Sequence, residues 1–196
     1  MMAAIVHHGV TKGAVIYTPG HAVTDQNGAW RPERDTMILA EMGEGGYVNG
    51  RRVMTLGGRA QSLRDGARIA FACRNQDKAF EAVLSEGVPG YHPRNNASHD
   101  YTRILTGDMD ATFYSEGFMP GTNLGKCPPW DHAAGVLAVS EAGGQAALPY
   151  GPDGQAYDPL VCHDRLLVCA NAALFQDVLR HVRDRTPQMT VPRATS

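Results

Sequence analysis

The sequence predicts a layered fold of the mixed α/β class (α+β layered), and three observations support this prediction. Two short apolar runs at residues 2–8 and 13–17, separated by a polar turn, are typical of a β-hairpin. Further along the chain, apolar runs of strand length alternate with segments of helical periodicity. The 196-residue chain is 43% hydrophobic, which is enough to bury a core. Strands paired by hairpins and later strands alternating with helices pack most simply as stacked layers.

Composition excludes several functional classes. The chain has 18 Lys and Arg residues against 20 Asp and Glu residues, a formal charge of −2, so it lacks a chain-wide cationic surface and we predict no nucleic-acid partner. No apolar run approaches the roughly 20 residues of a membrane helix, so we predict no membrane partner. The four cysteines form no C-x-x-C pair and no signal peptide is recognisable, which indicates reduced thiols in a cytoplasmic protein. A disulfide between two of the cysteines stays open as an alternative.

The first part of the chain is predicted to consist mainly of strands. These strands are residues 2–8, 13–17 and 36–41. We place the first turn at residues 9–12. The stretch 19–35 contains Pro, Gly, Asn and Asp and predicts an exposed loop. Asn49-Gly50 predicts a type I′ hairpin, because both central residues of that turn need a positive φ.

The second part of the chain predicts alternating strands and helices. The predicted strands are residues 67–73, 110–114 and 166–170. The predicted helices are residues 77–84, 98–105 and 131–142, and a last helix that Asn171 caps and that runs to about 182. Asn96 or Ser98 is expected to cap the second helix, Asp131 the third, and Gly143 or Gly144 to end the third. The stretch 118–129, rich in Gly and Pro, predicts a loop.

A change of composition near residue 60 predicts a division of the chain. Residues 56–66 are polar and contain glycines, which is typical of a boundary. We therefore expect a first domain at 1–60, a second αβα domain at 61–183 and a flexible tail at 184–196.

One segment carries a specific resemblance. Residues 128–144 include Trp130-Asp131-His132-Ala133-Ala134-Gly135 and end with Glu141-Ala142-Gly143-Gly144. This stretch resembles the Trp-Asp-x-Ala-Ala-Gly … Glu-Ala-Gly-Gly signature of the inositol monophosphatase family. Residues 40–45 and 49–51 resemble the family's Ala-Glu-x-Gly-x-Gly … Asn-Gly-Arg stretch, so the likeness spans about residues 2–183.

The resemblance implies a layered αβαβα fold and Mg²⁺-dependent hydrolysis of phosphate monoesters. It implies that Asp131 is a Mg²⁺ ligand at a helix that packs beside the phosphate. Mg²⁺ prefers carboxylate oxygens, water and substrate phosphate in octahedral geometry. The partner implied is a small phosphorylated metabolite, and the family suggests a homodimer.

The sequence departs from the family's metal-binding pattern. Members take further carboxylate ligands from an upstream Glu-Glu region and from an Asp-Pro-(Ile/Leu)-Asp-Gly-Thr motif, and neither occurs here. The nearest match, Asp158-Pro159, has Val161 in place of the second Asp and is interpreted as a turn. One carboxylate does not hold two or three Mg²⁺ ions. The chain is therefore expected to be an N-terminally truncated relative, and incomplete or inactive alone.

Substrate contacts also depart from the family. Members often open the substrate helix with Gly-Ser or Gly-Thr, whereas Asn96, Ala97 and Ser98 occupy the matching positions here. Glu116 is the candidate for the family's substrate-contacting acid, and Lys126 is interpreted as a solvated lysine. Inositol monophosphate, a sugar phosphate, histidinol phosphate and a 3′-phosphoadenosine nucleotide all stay open as substrates.

Simpler interpretations accompany these assignments. Asp131 on spacing alone is a helix cap, His132 is expected to be an exposed helix histidine, and Glu141 is expected to be a surface or helix-end residue. Glu41 and Glu44 are expected to serve a turn. A zinc hydrolase is disfavoured because no His-Glu-x-x-His spacing occurs. The alternative to a phosphatase is a non-catalytic relative that acts, if at all, as an interaction protein.

Overall fold

The structure is a computed structural model that describes residues 1–20, 23–24, 30–31, 35–53, 60–73, 78–92, 96–115, 127–150 and 152–185. These residues form two five-stranded sheets, a pair of two-residue strands and four α-helices. None of the helices in these ranges combines the length and the apolar composition that crossing a membrane requires.

The first sheet is antiparallel and uses residues before position 54. Its strands, in spatial order, are β1 (Met2–His7), β2 (Val10–Thr18), β5 (Thr36–Glu41), β6 (Gly45–Val48) and β7 (Arg51–Val53). In β5 buried and exposed residues alternate strictly, which confirms the predicted strand at 36–41. The Asn49-Gly50 hairpin is confirmed, with φ values of 49° and 78°.

Two predictions in this region were wrong. The first turn is not 9–12 but the pair His8-Gly9, both with positive φ, and β2 resumes at once at Val10. Polar Thr11 and Lys12 suggested a turn, but they lie in a strand whose end is open to water. The expected loop at 19–35 contains the short strands β3 (Val23–Thr24) and β4 (Trp30–Arg31), which pair with each other. Two-residue strands are too short to show a periodic pattern.

The second sheet is mixed and uses residues after position 67. Its strands are β8 (Arg68–Cys73), β9 (Gly90–His92), β10 (Ala111–Ser115), β11 (Gln145–Ala147) and β12 (Arg165–Cys169), in the spatial order β11-β12-β10-β8-β9. β8 runs parallel to β9 and β10, whereas β12 runs antiparallel to β10 and β11. The sequence did not predict β9 and β11, which have three residues each and depend on longer neighbours.

The helices form two separate layers. They are α1 (Lys78–Ser85), α2 (Ala97–Thr106), α3 (Pro129–Glu141) and α4 (Ala172–Arg185). α3 packs on the first sheet through β1, β2, β5 and β6 and touches β11 and β12 of the second sheet, and α2 packs on α3 and β2. α1 and α4 lie on the other face of the second sheet, where they contact β8, β11 and β12. The described layers are therefore sheet, helices, sheet and helices.

Helix ends follow several of the predicted caps. Asn96 caps α2 by accepting the His99 N–H, and Asn171 caps α4 by accepting the Leu174 N–H. Gly143 follows α3 with φ of 87°, the left-handed conformation expected at that position. The last helix continues to Arg185, about three residues beyond its predicted end at 182. The rest of the expected tail at 184–196 and most of the predicted loop at 118–129 lie outside the described residues.

Candidate functional site

Asp131 lies in the first turn of α3, but it does not cap the helix as predicted. The helix begins two residues earlier, with Pro128 as N-cap and Pro129 at the first helical position. Proline suits that position because its missing N–H would have no helical partner there. Asp131 is therefore the third residue of the helix, and its exposed carboxylate stays close to the positive end of the helix dipole.

His132 is buried, so the prediction of an exposed helix histidine was wrong. Its side chain is 1% exposed, and its Nδ1 lies 2.9 Å from the hydroxyl oxygen of Tyr101 on α2. The His132 ring also meets the Tyr114 ring edge-on, with 4.6 Å between ring centroids. The Tyr114 hydroxyl donates to Oδ2 of Asp100 over 3.2 Å. Asp100, Tyr101, Tyr114 and His132 form a buried group, here called the Tyr101–His132 cluster.

The Tyr101–His132 cluster anchors the start of α3. Burial raises the pKa of the Tyr101 phenol well above its usual range, and the neighbouring acidic groups, with Asp131 among them, raise it further. Tyr101 therefore remains a neutral phenol at physiological pH. The cluster fixes His132 in the core, whereas the adjacent Asp131 is exposed to water. Sequence reasoning missed Tyr101 and Tyr114, whose only signal was a polar ring within an apolar helix or strand pattern.

The helices α2 and α3 cross closely beside this cluster. A Cβ atom at Gly135 would lie 2.2 Å from Cδ2 of the Tyr101 ring. Glycine is therefore required at this position for the two helices to approach. Gly135, the last residue of the Ala-Ala-Gly stretch, thus allows the close packing of α2 on α3.

The predicted substrate-contacting residues begin α2. Oδ1 of Asn96 accepts the His99 N–H at 3.0 Å and the Ser98 hydroxyl at 2.7 Å. Asn96 is exposed, and Ala97 and Ser98 are half-buried. The side-chain oxygens of Asn96 and Ser98 are therefore both engaged in hydrogen bonds at the start of the helix. Glu116 and Lys126 lie outside the described residues.

The other acidic residues considered in the sequence analysis lie at turns and at a helix end. The Glu141 carboxylate accepts the backbone N–H groups of Gly43 and Gly45, each at 2.9 Å, and so fixes the β5–β6 turn to the end of α3. That turn also closes through a hydrogen bond from the Glu44 N–H to the Glu41 carbonyl. Oδ1 of Asp158 accepts the Leu160 N–H at 2.8 Å, which confirms the predicted turn at Asp158-Pro159.

The described residues do not fit a complete Mg²⁺ site. Within the ranges that the structure describes, no three His, Cys, Asp or Glu side chains come together in a way that would hold a metal ion. Mg²⁺ demands near-octahedral oxygen coordination, which the single exposed carboxylate of Asp131 does not supply by itself.

Comparison with known proteins shows the family to which this chain is related. The sequence model of the inositol monophosphatase family matches residues 2–186. The chain belongs to the inositol monophosphatase family. The resemblance of residues 128–144 to the family signature is thereby confirmed.

Individual relatives agree with this membership. The chain is 31% identical over 157 residues to the "Putative Nus factor SuhB" of Neisseria meningitidis serogroup B, covering 77% of this chain and 51% of the relative. The inositol monophosphatase of Thermotoga maritima has the same fold at 19% identity, with a TM-score of 0.68 over 96% of this chain and 62% of that one. The chain therefore spans about half the length of the curated relative and three fifths of the solved one.

Ligand-bound structures also share the fold. A dual-specific IMPase/NADP phosphatase bound to D-inositol-1-phosphate gives a TM-score of 0.63 at 20% identity, covering 92% of this chain and 57% of that one. An IMPase/NADP phosphatase complexed with Mg²⁺ and phosphate gives 0.63 at 19% identity, covering 91% and 56%. Family members thus bind Mg²⁺ and phosphorylated inositol, and at these identities the likeness to this chain is one of fold.

Proposed function

We propose that this inositol monophosphatase family member carries one part of a Mg²⁺-dependent phosphomonoesterase site, centred on Asp131. The observation that supports this proposal is the placement of Asp131 within the family signature. Its carboxylate is exposed in the first turn of α3, while the next residue, His132, is fixed in the core by Tyr101. An anchored turn that presents one carboxylate to water is a suitable support for a metal ligand.

The proposed substrate is a phosphate monoester of inositol or a sugar. Asn96, Ala97 and Ser98 are proposed to contact it from the first turn of α2, together with Glu116. The first N–H groups of a ten-residue helix have no helical acceptor and attract phosphate. In this chain the Asn96 cap takes the His99 N–H, and the N–H groups of Ala97 and Ser98 are proposed to bind the phosphate.

We propose further that the 196 residues do not hydrolyse the substrate alone. Asp131 needs additional oxygen ligands, and we propose that an upstream segment or a partner chain supplies them. Activity of the purified chain is tested by phosphate release from inositol 1-phosphate with and without Mg²⁺. We expect no release above the buffer background. Mg²⁺-dependent release that Asp131→Asn abolishes would show instead that the chain is a complete enzyme.

A second test of the proposed phosphatase function uses the DNA sequence upstream of the codon for Met1. An in-frame Asp-Pro-x-Asp-Gly-Thr sequence upstream of Met1 would predict that the extended protein hydrolyses the substrate. In that protein Asp131→Asn should reduce turnover by orders of magnitude and Ser140→Ala, an exposed change on the same helix, should not. An unchanged rate in the Asp131→Asn variant would refute the metal-ligand role.

The alternative function is a non-catalytic interaction protein. Two observations favour it: the described residues supply a single candidate carboxylate, and the curated relative carries the name of a putative Nus factor rather than that of an enzyme. An upstream stop codon between any such motif and Met1, with no phosphate release, would favour this alternative.

A further inference from the structure

A cleft lies between one face of α4 and the connections that precede β8 and β9. Its volume is about 530 Å³, which is within the range of small-molecule binding sites. One wall consists of residues three, four, seven and eight positions apart on α4, namely Asp177, Arg180, His181, Asp184 and Arg185. The other wall consists of Leu63 and Arg64 in a 3₁₀-helix before β8, and of Gly87 and Pro89 before β9. We call this space the α4 cleft.

Hydrogen bonds hold the two walls of the α4 cleft together. Oδ2 of Asp177 accepts the Leu63 N–H at 2.9 Å. Nε2 of His181 donates to the Leu84 carbonyl oxygen at 2.7 Å and so joins α4 to the end of α1. The shape of the cleft is therefore set by contacts within the chain, and a ligand meets a site that is already formed.

The charges of the α4 cleft are predominantly positive. Its charged residues are three arginines and two aspartates: Arg64, Arg180, Arg185, Asp177 and Asp184. The Asp177 carboxylate is already paired, because its Oδ1 lies 3.2 Å from Nη1 of Arg180. Burial holds the pKa of His181 below its usual value, so this ring adds no charge at neutral pH. The cleft therefore attracts anions.

Most N–H donors of the three arginines are available to a ligand. Arg64 is exposed, and its side chain makes no hydrogen bond or ion pair among the residues that the structure describes. Arg185 uses one donor for the Glu86 carbonyl oxygen at 3.5 Å, and Arg180 uses one for Asp177. A guanidinium presents its donors in a planar fork that matches the oxygens of a phosphate or a carboxylate. Several such groups at one cleft favour an anion with more than one negative charge, which a phosphate monoester has at neutral pH.

We propose that the α4 cleft binds the phosphate group of a small phosphorylated metabolite. Arg64 and Arg185 bind the phosphate from the two walls, and the volume of the cleft leaves room for a body of sugar size beside it. The Asp184 carboxylate only accepts hydrogen bonds, so it suits a ligand that carries hydroxyl groups.

The α4 cleft is separate from the site proposed around Asp131. α1 and α4 lie on the face of the second sheet that is turned away from α2 and α3. No residue that lines the cleft belongs to α2 or α3. Binding in the cleft therefore does not depend on the proposed phosphatase function.

An NMR titration of the ¹⁵N-labelled chain with ribose 5-phosphate tests the location of the site. We expect saturable shifts of the Gly87 amide and of the Nε–H signals of Arg64 and Arg185, with a dissociation constant on the order of 1 mM. Inorganic phosphate should shift the same signals, and acetate should bind about 10-fold more weakly because it carries a single charge. Equal binding of acetate and phosphate would overturn the proposal. Shifts of the Ala97 and Ser98 amides without shifts in the cleft would also overturn it, and would support the substrate site at α2 instead.

Charge variants test the direction of the effect with inorganic phosphate as the ligand. Arg64→Gln should raise the dissociation constant about 10-fold, because it removes a charged donor. Asp184→Asn should lower the dissociation constant about 3-fold, because it removes an exposed acid that repels the anion. The urea midpoint of each variant checks that the fold is kept.

Arg183→Gln is the matched control. Arg183 lies on the same helix, but it does not line the cleft, and its Nη1 donates to the Pro152 carbonyl oxygen at 3.4 Å. We expect this variant to bind phosphate as the parent chain does. An equal loss of affinity in Arg183→Gln and Arg64→Gln, an Asp184→Asn variant that binds no more tightly, or the absence of saturable shifts in the cleft would overturn the proposal.

Discussion

Replacing Glu141 by alanine should detach the β5–β6 turn from the carboxyl end of α3. The two carboxylate oxygens accept the N–H groups of Gly43 and Gly45, each at 2.9 Å. These two hydrogen bonds connect the first sheet to the helix that carries Asp131. Alanine has a high helix propensity, so the substitution removes the hydrogen bonds without destabilising the helix itself.

The expected loss of stability follows from these contacts. A hydrogen bond to a charged group contributes about 1.5–3 kcal/mol, and the lower value applies to a partly exposed pair, so the two bonds contribute about 3 kcal/mol. A carboxylate in the last turn of a helix also meets the negative end of the dipole, which costs about 0.3–1 kcal/mol and is relieved by the substitution. We therefore expect a net loss of about 2 kcal/mol for Glu141→Ala. Glu141→Gln keeps one acceptor oxygen and should lose about 1 kcal/mol.

Urea unfolding followed by circular dichroism measures these losses. With a slope of about 2 kcal/mol per M, the midpoint for Glu141→Ala should fall by about 1 M at unchanged slope. Glu44→Ala, an exposed change in the same turn, is the control and should stay within about 0.5 kcal/mol of the parent. Equal stability of Glu141→Ala and the parent chain, or an equal loss in the Glu44→Ala control, would show that the two hydrogen bonds of Glu141 do not stabilise the fold.

Three further predictions concern the helix layers. Gly135→Ala should destabilise the fold by about 3 kcal/mol, measured by the urea midpoint, because its Cβ would overlap the Tyr101 ring; a loss below about 1 kcal/mol would contradict the close helix crossing. His132→Phe should cost about 1–3 kcal/mol by leaving the Tyr101 hydroxyl unpaired, and adding Tyr101→Phe should recover part of that loss in a double-mutant cycle; strictly additive losses would argue against their hydrogen bond. Burial holds the pKa of His181 below its usual value although its ring bonds the Leu84 carbonyl, so the unfolded chain takes up this proton first and stability falls as the pH drops below about 6.5. In His181→Asn the urea midpoint should depend less on pH between about 7.5 and 5.5, and an identical pH dependence would contradict this linkage.

Local signals in the sequence predicted much of the fold. The alternation at 36–41, the Asn49-Gly50 pair and the Asn96 cap each depend on residues close in sequence, and each is found as predicted. The family signature at 128–144 located α3 and the family itself. These features need no knowledge of distant contacts, which is why sequence reasoning reaches them.

Features that depend on distant partners were not predictable. His132 is buried because Tyr101 and Tyr114, 31 and 18 residues earlier, surround its ring, and nothing adjacent to it in sequence indicates this. α3 begins two residues earlier than predicted, because Pro128 is its N-cap and Pro129 its first residue. Asp131 therefore lies inside the helix and not at its cap. The burial of Ile16 and Ile38 likewise follows from the side of the first sheet on which α2 and α3 pack.

Titration of the purified 196-residue chain with Mg²⁺ in a calorimeter measures whether these residues hold the metal ion without further ligands. Because Asp131 is one exposed carboxylate and Mg²⁺ gives up its water shell reluctantly, we expect no saturable heat. Saturable, stoichiometric binding that disappears in Asp131→Asn would contradict it, since these residues would then supply the full ligand set.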